Sequence, residues 1–284
     1  MFHTSSFLDV KYLSFNINAY MTFLRTLIVS VLLIEGSWVY ADGSVSTLPF
    51  GLINASQEHS QEHILEFWGY HDYLGSENYS DTLKLRYYNP LNIGDWHGTA
   101  RLDTAYTSNY GPQQANQSTG TYTPSYAMFT VWGGLPSWLG NAGARVIAPL
   151  QTPGQWAVGP QLSTSFRPKN SDSSLLSDFS PLTRYMYGFD SKAAPGSTPP
   201  ALVRRLELYP TIGINLSPST QIRFWDENGI NYNSAGGGWF VPIDAMVTHR
   251  VNQNFLFAVG FAKQVVQTYQ QYDWSLYSKL SFNF

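Results

Sequence analysis

The sequence predicts an all-β protein, a transmembrane antiparallel up-and-down β-barrel of about 12 strands within a range of roughly 10–14. Three observations predict this fold. The carboxyl-terminal residues alternate between two faces and stop on an aromatic residue, Phe284. Charged residues make up only 12% of the chain and aromatic residues 16%, with a mean hydropathy of −0.19. An amino-terminal apolar run has the features of a secretory signal. A soluble periplasmic β-protein with an aromatic core is the competing fold.

The amino-terminal 41 residues are predicted to be a signal peptide. Arg25 precedes the apolar run 27–34, and Ala41 is a small residue at the expected cleavage point. The run is shorter than the ~20 residues that span a bilayer, although an uncleaved anchor remains the alternative. We interpret residues 1–20 as an over-long gene assignment. Residues 42–62 are polar without alternation, which predicts a flexible arm or a small plug, and the barrel is expected over 63–284.

Alternating residues identify the individual strands. The terminal strand has Trp274, Leu276, Leu280, Phe282 and Phe284 on one face and mostly polar residues on the other, a period of two. Clear alternation recurs in segments 83–88, 96–106, 142–150, 155–166, 205–214, 239–248 and 255–262. Weaker candidates lie at 64–73, 123–134, 183–190 and 220–225. The terminal strand is expected to close the barrel against the first strand, near 64–73.

The connections between strands are predicted to be short on the periplasmic side and long on the outer side, as membrane barrels require. The short ones are Pro149–Gly154, Ser217–Ser219 and Arg250–Asn254, and the long ones are Ser108–Gly120, Pro168–Pro181, Ser191–Pro200 and Asp226–Gly238. Pro160, Pro210 and Pro242 lie inside candidate strands. Since proline cannot donate to a strand ladder, these three positions predict weakened strands or bulges.

Composition excludes several classes of function. A net charge of −3 argues against nucleic acid as a partner. The absence of cysteine excludes disulfides, thiolate metal sites and a lipid-modified amino-terminal cysteine. The chain has no Gly-x-Ser-x-Gly element and no Asp-His dipeptide, so we predict neither an enzyme nor a cofactor.

One pattern has the spacing of a metal site. His59 and His63, with Glu62 between them, match the inverted zinc pattern His-x-x-Glu-His within a short repeat of Ser-Gln-Glu-His. Such a site needs a helix and a third ligand, and this segment is polar all round. We interpret the repeat as a solvated arm and predict no metal site.

The polar faces of the strands carry the candidate binding residues. Such groups either cross-link the lumen of a barrel or line a narrow pore, and both interpretations remain open. The candidate lumen-lining residues are His97, Arg101, Asp103, Arg145, Gln155, Gln161, Arg205, Glu207, Tyr209, Arg223 and Asp244.

Short motifs in the second half of the chain suggest a family. The stretch Thr152–Gln161 and the later pieces Phe224–Asp226, Gly238–Pro242 and Asp273–Leu276 resemble, in order, segments of uncharacterised proteobacterial outer-membrane proteins. Some of these are grouped with proposed transporters of the meta-pathway of phenol degradation. The chain departs from that pattern at its end, where Phe-Asn-Phe replaces Phe-Pro. The resemblance implies a small barrel that moves small solutes, including apolar or aromatic ones, and it implies no catalytic residue.

The sequence therefore predicts a passive channel or transporter in the outer membrane of a Gram-negative bacterium. The alternative is a surface or adhesion barrel that binds partners through its long loops, and an outer-membrane enzyme is the least favoured. The expected partners are outer-membrane lipid, lipopolysaccharide and the barrel-assembly machinery, which would read the strand ending at Phe284.

Overall fold

A computed structural model describes residues 63–111, 125–135, 140–166, 168, 175–193, 195–196, 198–268 and 271–284. The predicted signal peptide, 1–41, and the predicted arm, 42–62, lie outside the described residues and stay predictions. Over the ranges that the structure does describe, no helix is long and apolar enough to cross a membrane.

The described chain forms thirteen strand segments joined in one sheet. They are β1 (Ile64–Gly75), β2 (Asn78–Ile93), β3 (Trp96–Tyr110), β4 (Tyr126–Gly134), β5 (Asn141–Pro149), β6 (Gly154–Ser163), β7 (Leu176–Lys192), β8 (Arg204–Ser217), β9 (Thr220–Phe224), β10 (Ile230–Asn233), β11 (Trp239–Arg250), β12 (Phe255–Gln267) and β13 (Trp274–Asn283).

The sheet closes into an antiparallel barrel. Apart from β9 and β10, each strand pairs with the next along the chain, and β13 pairs with β1 from Ile64 opposite Asn283 to Tyr73 opposite Trp274. Segments β9 and β10 both pair with β8 on one side and β11 on the other, so together they occupy one strand position. The barrel has twelve strand positions, which confirms the predicted fold and the predicted closure.

The alternation in sequence becomes an inside and an outside. In β13 the side chains of Ser275, Tyr277 and Lys279 are buried, whereas that of Leu276 is exposed on the outer face. The same alternation holds in β2, where Lys84 and Arg86 are buried. Large apolar side chains on the outside and polar ones on the inside are the pattern of a barrel that sits in lipid.

Aromatic side chains form a belt near each end of the outer face. We call the end of the barrel at which the Phe284 amide donates to the His63 carbonyl at 3.0 Å the terminal end. There the ring of Phe255 is tilted against that of Phe282, with centroids 5.1 Å apart. At the opposite end, Trp274 lies against Tyr73 with ring centroids 5.5 Å apart. Trp274 and Phe282 are separated by about 26 Å along β13, or about 20 Å along the axis of a barrel tilted by ~40°. That separation is close to the ~25 Å apolar band of outer-membrane barrels.

All four predicted long connections include strand residues, and two of them include longer pieces of strand. Segment β7 begins at Leu176 inside the predicted connection Pro168–Pro181, and β10 lies inside Asp226–Gly238. The predicted sorting of the connections by end is also wrong for two of the seven. The turn 150–153 is short but lies at the end opposite the termini, whereas 164–175 is longer and lies at the terminal end. The polar composition of both stretches, together with the glycines of 226–238, concealed the strand residues.

The three prolines lie where the ladders are interrupted. Between β6 and β7, pairing stops at Val158 and resumes at Gln161, on either side of Pro160. Pro242 lies at a register shift between β11 and β12, and Pro210 in β8 faces the gap between β9 and β10. Of the three, Pro242 coincides with a bulge, whereas Pro160 and Pro210 face gaps in a ladder. The barrel is not broken, because a residue that cannot donate is tolerated where the ladder is already open.

Candidate functional site: the barrel lumen

Ten of the eleven predicted lumen residues face the interior, where nine are buried and Tyr209 is half-buried. They are Arg101, Asp103, Arg145, Gln155, Gln161, Arg205, Glu207, Tyr209, Arg223 and Asp244. His97 is the exception. It is exposed near the terminal end beside the tight turn at 94–95, where its Nδ1 lies 2.6 Å from Asn92 Oδ1. The period of two in β3 gives His97 the same orientation as Thr99 and Arg101. His97 is exposed because it lies at the rim of the barrel.

A short segment of the chain turns into the lumen between β9 and β10. We call residues 225–229 the inward turn. Between the last pair of β8 with β9 and the first pair of β8 with β10, the inward turn has five residues where β8 has three, Tyr209 to Thr211. The turn, with its two extra residues, leaves the ladder. Trp225 has a positive φ of 50° and donates its Nε1 to the Pro242 carbonyl at 2.9 Å. Asn228 Nδ2 donates to Asp244 Oδ1 at 3.0 Å. The turn is thus fastened to its neighbouring strand while its tip crosses the lumen.

The tip of the inward turn is Glu227. Its Oε1 accepts from Lys84 Nζ and from the Tyr70 hydroxyl, each at 2.6 Å. Arg86 Nη2 lies 3.4 Å from Oε2 of the same carboxylate. Since Lys84, Arg86 and Tyr70 belong to β1 and β2, Glu227 bridges the lumen and narrows it.

Arg86 is the centre of a network of buried charges. Its Nε donates to Asp103 Oδ1 at 2.6 Å, and its Nη1 lies 3.4 Å from Glu66 Oε2. Asp103 also accepts from Arg101 Nε through Oδ2 at 2.7 Å, and Lys279 Nζ lies 3.4 Å from Glu66 Oε1. Charges taken out of water in this way are tolerated only when their partners are well placed.

The indole ring of Trp68 lies among the cations of this network. Lys84 Nζ, Arg86 Cζ and Lys279 Nζ are 5.4, 4.9 and 4.9 Å from the ring centroid. Within about 6 Å, the face of an indole attracts a cation. The ring therefore helps three positive side chains share one part of the lumen.

Two further networks cross-link the wall formed by β6 to β9. Arg184 Nη1 and Arg205 Nη2 both donate to Glu207, each at 2.7 Å, and Arg184 Nη2 donates to Gln161 Oε1 at 3.0 Å. Arg223 Nη1 donates to Asp178 Oδ1 at 2.9 Å. Much of the lumen therefore serves as internal cross-linking, the first of the two interpretations that the sequence left open.

A cavity of about 220 Å³ remains in the middle of the lumen. Its charged lining residues are Lys84, Arg86, Arg101, Arg145, Arg184, Arg205, Lys279, Glu66, Glu207, Asp226 and Glu227. Seven are cations and four are anions; Asp103, which contacts Arg86 and Arg101, adds a fifth anion. Seven against five leaves an excess of two positive charges around the cavity.

Several residues of this site were not among the predicted ones. They are Glu66, Lys84, Arg86, Arg184, Lys279 and Glu227. Lys84, Arg86 and Lys279 stand on the polar faces of alternating segments and were accessible to the same reasoning. Glu227 was not, because its segment breaks the period and was assigned to a loop.

The possible metal pattern at His59 lies outside the described residues together with Glu62. His63 is described, and its Nδ1 lies 2.8 Å from the Tyr87 hydroxyl while its ring stacks near that of Phe284. Within the described part of the chain, no group of three or more His, Cys, Asp or Glu residues could hold a metal ion.

No protein-family model and no curated protein matches this chain. The resemblance to the meta-pathway transporters therefore stays a prediction. Among solved structures, the chain is similar to the beta domain of the Bordetella autotransporter Brka, at 12% identity over 78% of this chain and 99% of that chain, with a TM-score of 0.41.

Two further solved structures are similar over the same share of this chain. For the Acinetobacter baumannii outer membrane protein Omp33, identity is 10%, coverage is 78% of this chain and 99% of that chain, and the TM-score is 0.40. For Salmonella typhi OmpF in complex with daunomycin, identity is 9%, coverage is 78% of this chain and 97% of that chain, and the TM-score is 0.31. The barrel fold described above rests on the strand pairing itself.

Proposed function

We propose that this protein is an outer-membrane channel that lets small polar solutes pass through its lumen. The observation that carries the proposal is the charged cavity enclosed by a barrel whose outer face is apolar between two aromatic belts. An apolar outside is what lipid requires, and a polar inside with unfilled volume is what a water-soluble solute requires.

The lining of the cavity bears on the choice of solute. The resemblance implied small solutes that include apolar or aromatic ones. A purely apolar solute would displace water from charged side chains and offer them no hydrogen bonds in return, which is unfavourable. We therefore favour a polar solute, and an uncharged aromatic solute becomes the alternative.

The inward turn bears on the expected rate of passage. Glu227 crosses the lumen to Lys84 and Arg86, so any path past the cavity is narrow where they meet. We expect a small conductance rather than the wide flow of a general diffusion pore.

Planar bilayers provide the test. Protein extracted from membranes, with folding checked by heat-modifiable mobility on a detergent gel, should give small discrete current steps. Liposomes that contain it should swell in small polar solutes. A barrel that remains folded but passes neither ions nor solutes would overturn the channel proposal while leaving the fold intact.

A surface or adhesion barrel is the second candidate. The observation that favours it is the pair of longer connections, 111–125 and 193–203, at the end opposite the termini. Shortening these connections should then abolish binding to a host surface or partner without changing permeability. An enzymatic role has no support from the described residues, and we propose none.

The location and assembly of the protein follow from the same proposal. We place it in the outer membrane of a Gram-negative bacterium, reached through the predicted signal peptide. Its apolar outer face would contact lipid and lipopolysaccharide, and the assembly machinery would read the β13 strand that leads to Phe284.

A further inference from the structure

We propose that Arg101 and Arg145 form a binding site for a small carboxylate-bearing solute in the lumen cavity. This inference rests on the proposed function in naming the solute of that channel. Binding itself is an equilibrium property of the folded barrel and can be measured whether or not the barrel conducts.

The two arginines lie on the same level of the barrel wall. Arg101 of β3 and Arg145 of β5 both pair in register with Thr130 of β4, one from each side. Two strand spacings put their Cα atoms about 10 Å apart. Both side chains point inward, are 4% and 7% exposed, and line the cavity.

Both guanidinium groups have N–H donors that are not used within the described part of the protein. Arg145 donates its Nε to Thr130 Oγ1 at 3.0 Å, and Arg101 donates its Nε to Asp103 Oδ2 at 2.7 Å. Their terminal amino groups have no hydrogen-bond acceptor among the residues that the structure describes. Arg145 has no carboxylate within 4.0 Å there either. The repulsion of its charge by Arg184 and Arg101 exceeds the attraction by the more distant carboxylates of Glu207 and Asp103. A buried guanidinium without an anionic partner is costly, so a bound anion would be stabilising.

The geometry of the donors selects the class of anion. The planar fork of an arginine matches the two oxygens of a carboxylate better than a point charge would. The same cavity already holds one carboxylate, that of Glu227, between Lys84, Arg86 and the Tyr70 hydroxyl. A second carboxylate beside Arg101 and Arg145 would offset one of the two excess positive charges.

The rest of the cavity indicates the size and character of the ligand. A volume of 220 Å³ is smaller than the roughly 300–1,000 Å³ of pockets for drug-sized ligands, so the ligand is small. Met128, Ile147 and Leu182 also line the cavity. These apolar side chains can contact the hydrocarbon part of a small organic acid while the arginines hold its carboxylate.

A matched pair of probes tests the site. Fluorine NMR of the purified barrel in detergent at low salt would compare 4-fluorobenzoate with 4-fluorobenzylammonium, which has the same ring and the opposite charge. We expect the acid to bind and the ammonium compound to bind at least about tenfold more weakly. Arg145→Gln and Arg101→Gln should each weaken binding of the acid by about ten- to a hundredfold, the value of a charge-assisted hydrogen bond. Lys263→Gln is the control, because it removes an exposed charge on the outer face.

The outcomes separate the alternatives. Arg145→Lys, which keeps the charge but loses the fork, should retain part of the affinity. Equal binding of the two probes would overturn the proposal in favour of an aromatic solute. Unchanged binding of the acid in folded Arg145→Gln and Arg101→Gln barrels would also overturn it. If neither variant folds, the wild-type comparison of the two probes decides. If the barrel does not conduct but still binds the acid in preference to the ammonium compound, the binding site is supported and only the channel proposal is overturned.

Discussion

The buried charges of the lumen are stabilised because Glu66, Asp103, Glu207 and Glu227 each contact two cations. Asp103 illustrates this, since its two oxygens accept from Arg86 and Arg101 at 2.6 and 2.7 Å and its side chain is fully buried. Replacing a whole buried network by apolar groups can be neutral, but removing one member leaves an uncompensated charge. Loss of the Asp103 carboxylate would remove an anionic partner from two guanidinium groups at once.

Asp103→Asn should therefore lower the free energy of unfolding by about 3–5 kcal/mol. Urea titration of the barrel in lipid vesicles measures this, with tryptophan fluorescence as the readout. Asp81→Asn is the matched control. Asp81 pairs with His71 at 2.7 Å but is about half exposed, and an exposed pair contributes at most about 1 kcal/mol. Equal losses in the two variants would contradict a structural role for the buried network.

How much of the site could be predicted depends on the sequence separation of its members. Arg101 and Asp103 are two residues apart on one face of β3, so their proximity follows from a period of two. Glu227 and Tyr70 are 157 residues apart and meet only because the inward turn crosses the lumen. Alternation determines which way a side chain points, but pairing across the lumen depends on the closed barrel.

At the scale of strands, the inward turn is the feature that sequence patterns describe least well. The segment 220–225 was predicted as a strand, and everything from Asp226 to Gly238 as a loop. Five residues that leave the ladder reset the alternation, so β10 cannot be recognised by its period. Pro210 and Pro242 on the flanking strands were the available signal, because their missing donors mark where a ladder opens.

If the inward turn restricts the lumen, releasing its tip should widen the path. Glu227→Gln removes the charge that Lys84 and Arg86 hold, so the turn should be less tightly fastened across the lumen. We expect a single-channel conductance at least about twofold higher than that of the wild type, since a charge-assisted contact contributes about 1.5–3 kcal/mol to holding the turn in place.

Asp190→Asn is the control for that measurement. Asp190 pairs with Lys192 at 3.4 Å near the end of β7 opposite the termini, and both side chains are more than half exposed. The conductance of this variant should match the wild type. A conductance in Glu227→Gln that is unchanged or lower would mean that the inward turn is not what limits passage.

At the scale of the whole molecule, the carboxyl terminus closes the barrel without being needed for its packing. Phe284 is 68% exposed, its amide donates to His63, and its ring stacks near the His63 imidazole at 5.9 Å. Removing Phe284 should leave unfolding in vesicles almost unchanged, within about 0.5 kcal/mol as for other surface changes. The amount of heat-modifiable barrel assembled in cells should fall if the assembly machinery reads this residue. Normal assembly in cells would contradict that role.

The number of strands followed from the length of the alternating region, but the medium around the barrel is a separate inference that one substitution can test. Val259 is half exposed on the outer face of β12, between Phe255 of one aromatic belt and Phe261 near the other. In a lipid-facing band, a lysine near the bilayer midplane costs about 2–4 kcal/mol, and one near the interface about 0–1 kcal/mol. A barrel surrounded by water would show neither cost, because exposed surface substitutions stay within about 0.5 kcal/mol.

Val259→Lys should therefore lower the free energy of unfolding in vesicles by about 2–4 kcal/mol. Val251→Lys is the matched control, since Val251 is similarly exposed but lies in the turn between β11 and β12 at the terminal end. A large cost at Val259 and a small one at Val251 would locate the outer face of β12 in the hydrocarbon core. Equally small losses of unfolding free energy at both positions would contradict the membrane location. They would favour the competing fold, a soluble periplasmic β-protein.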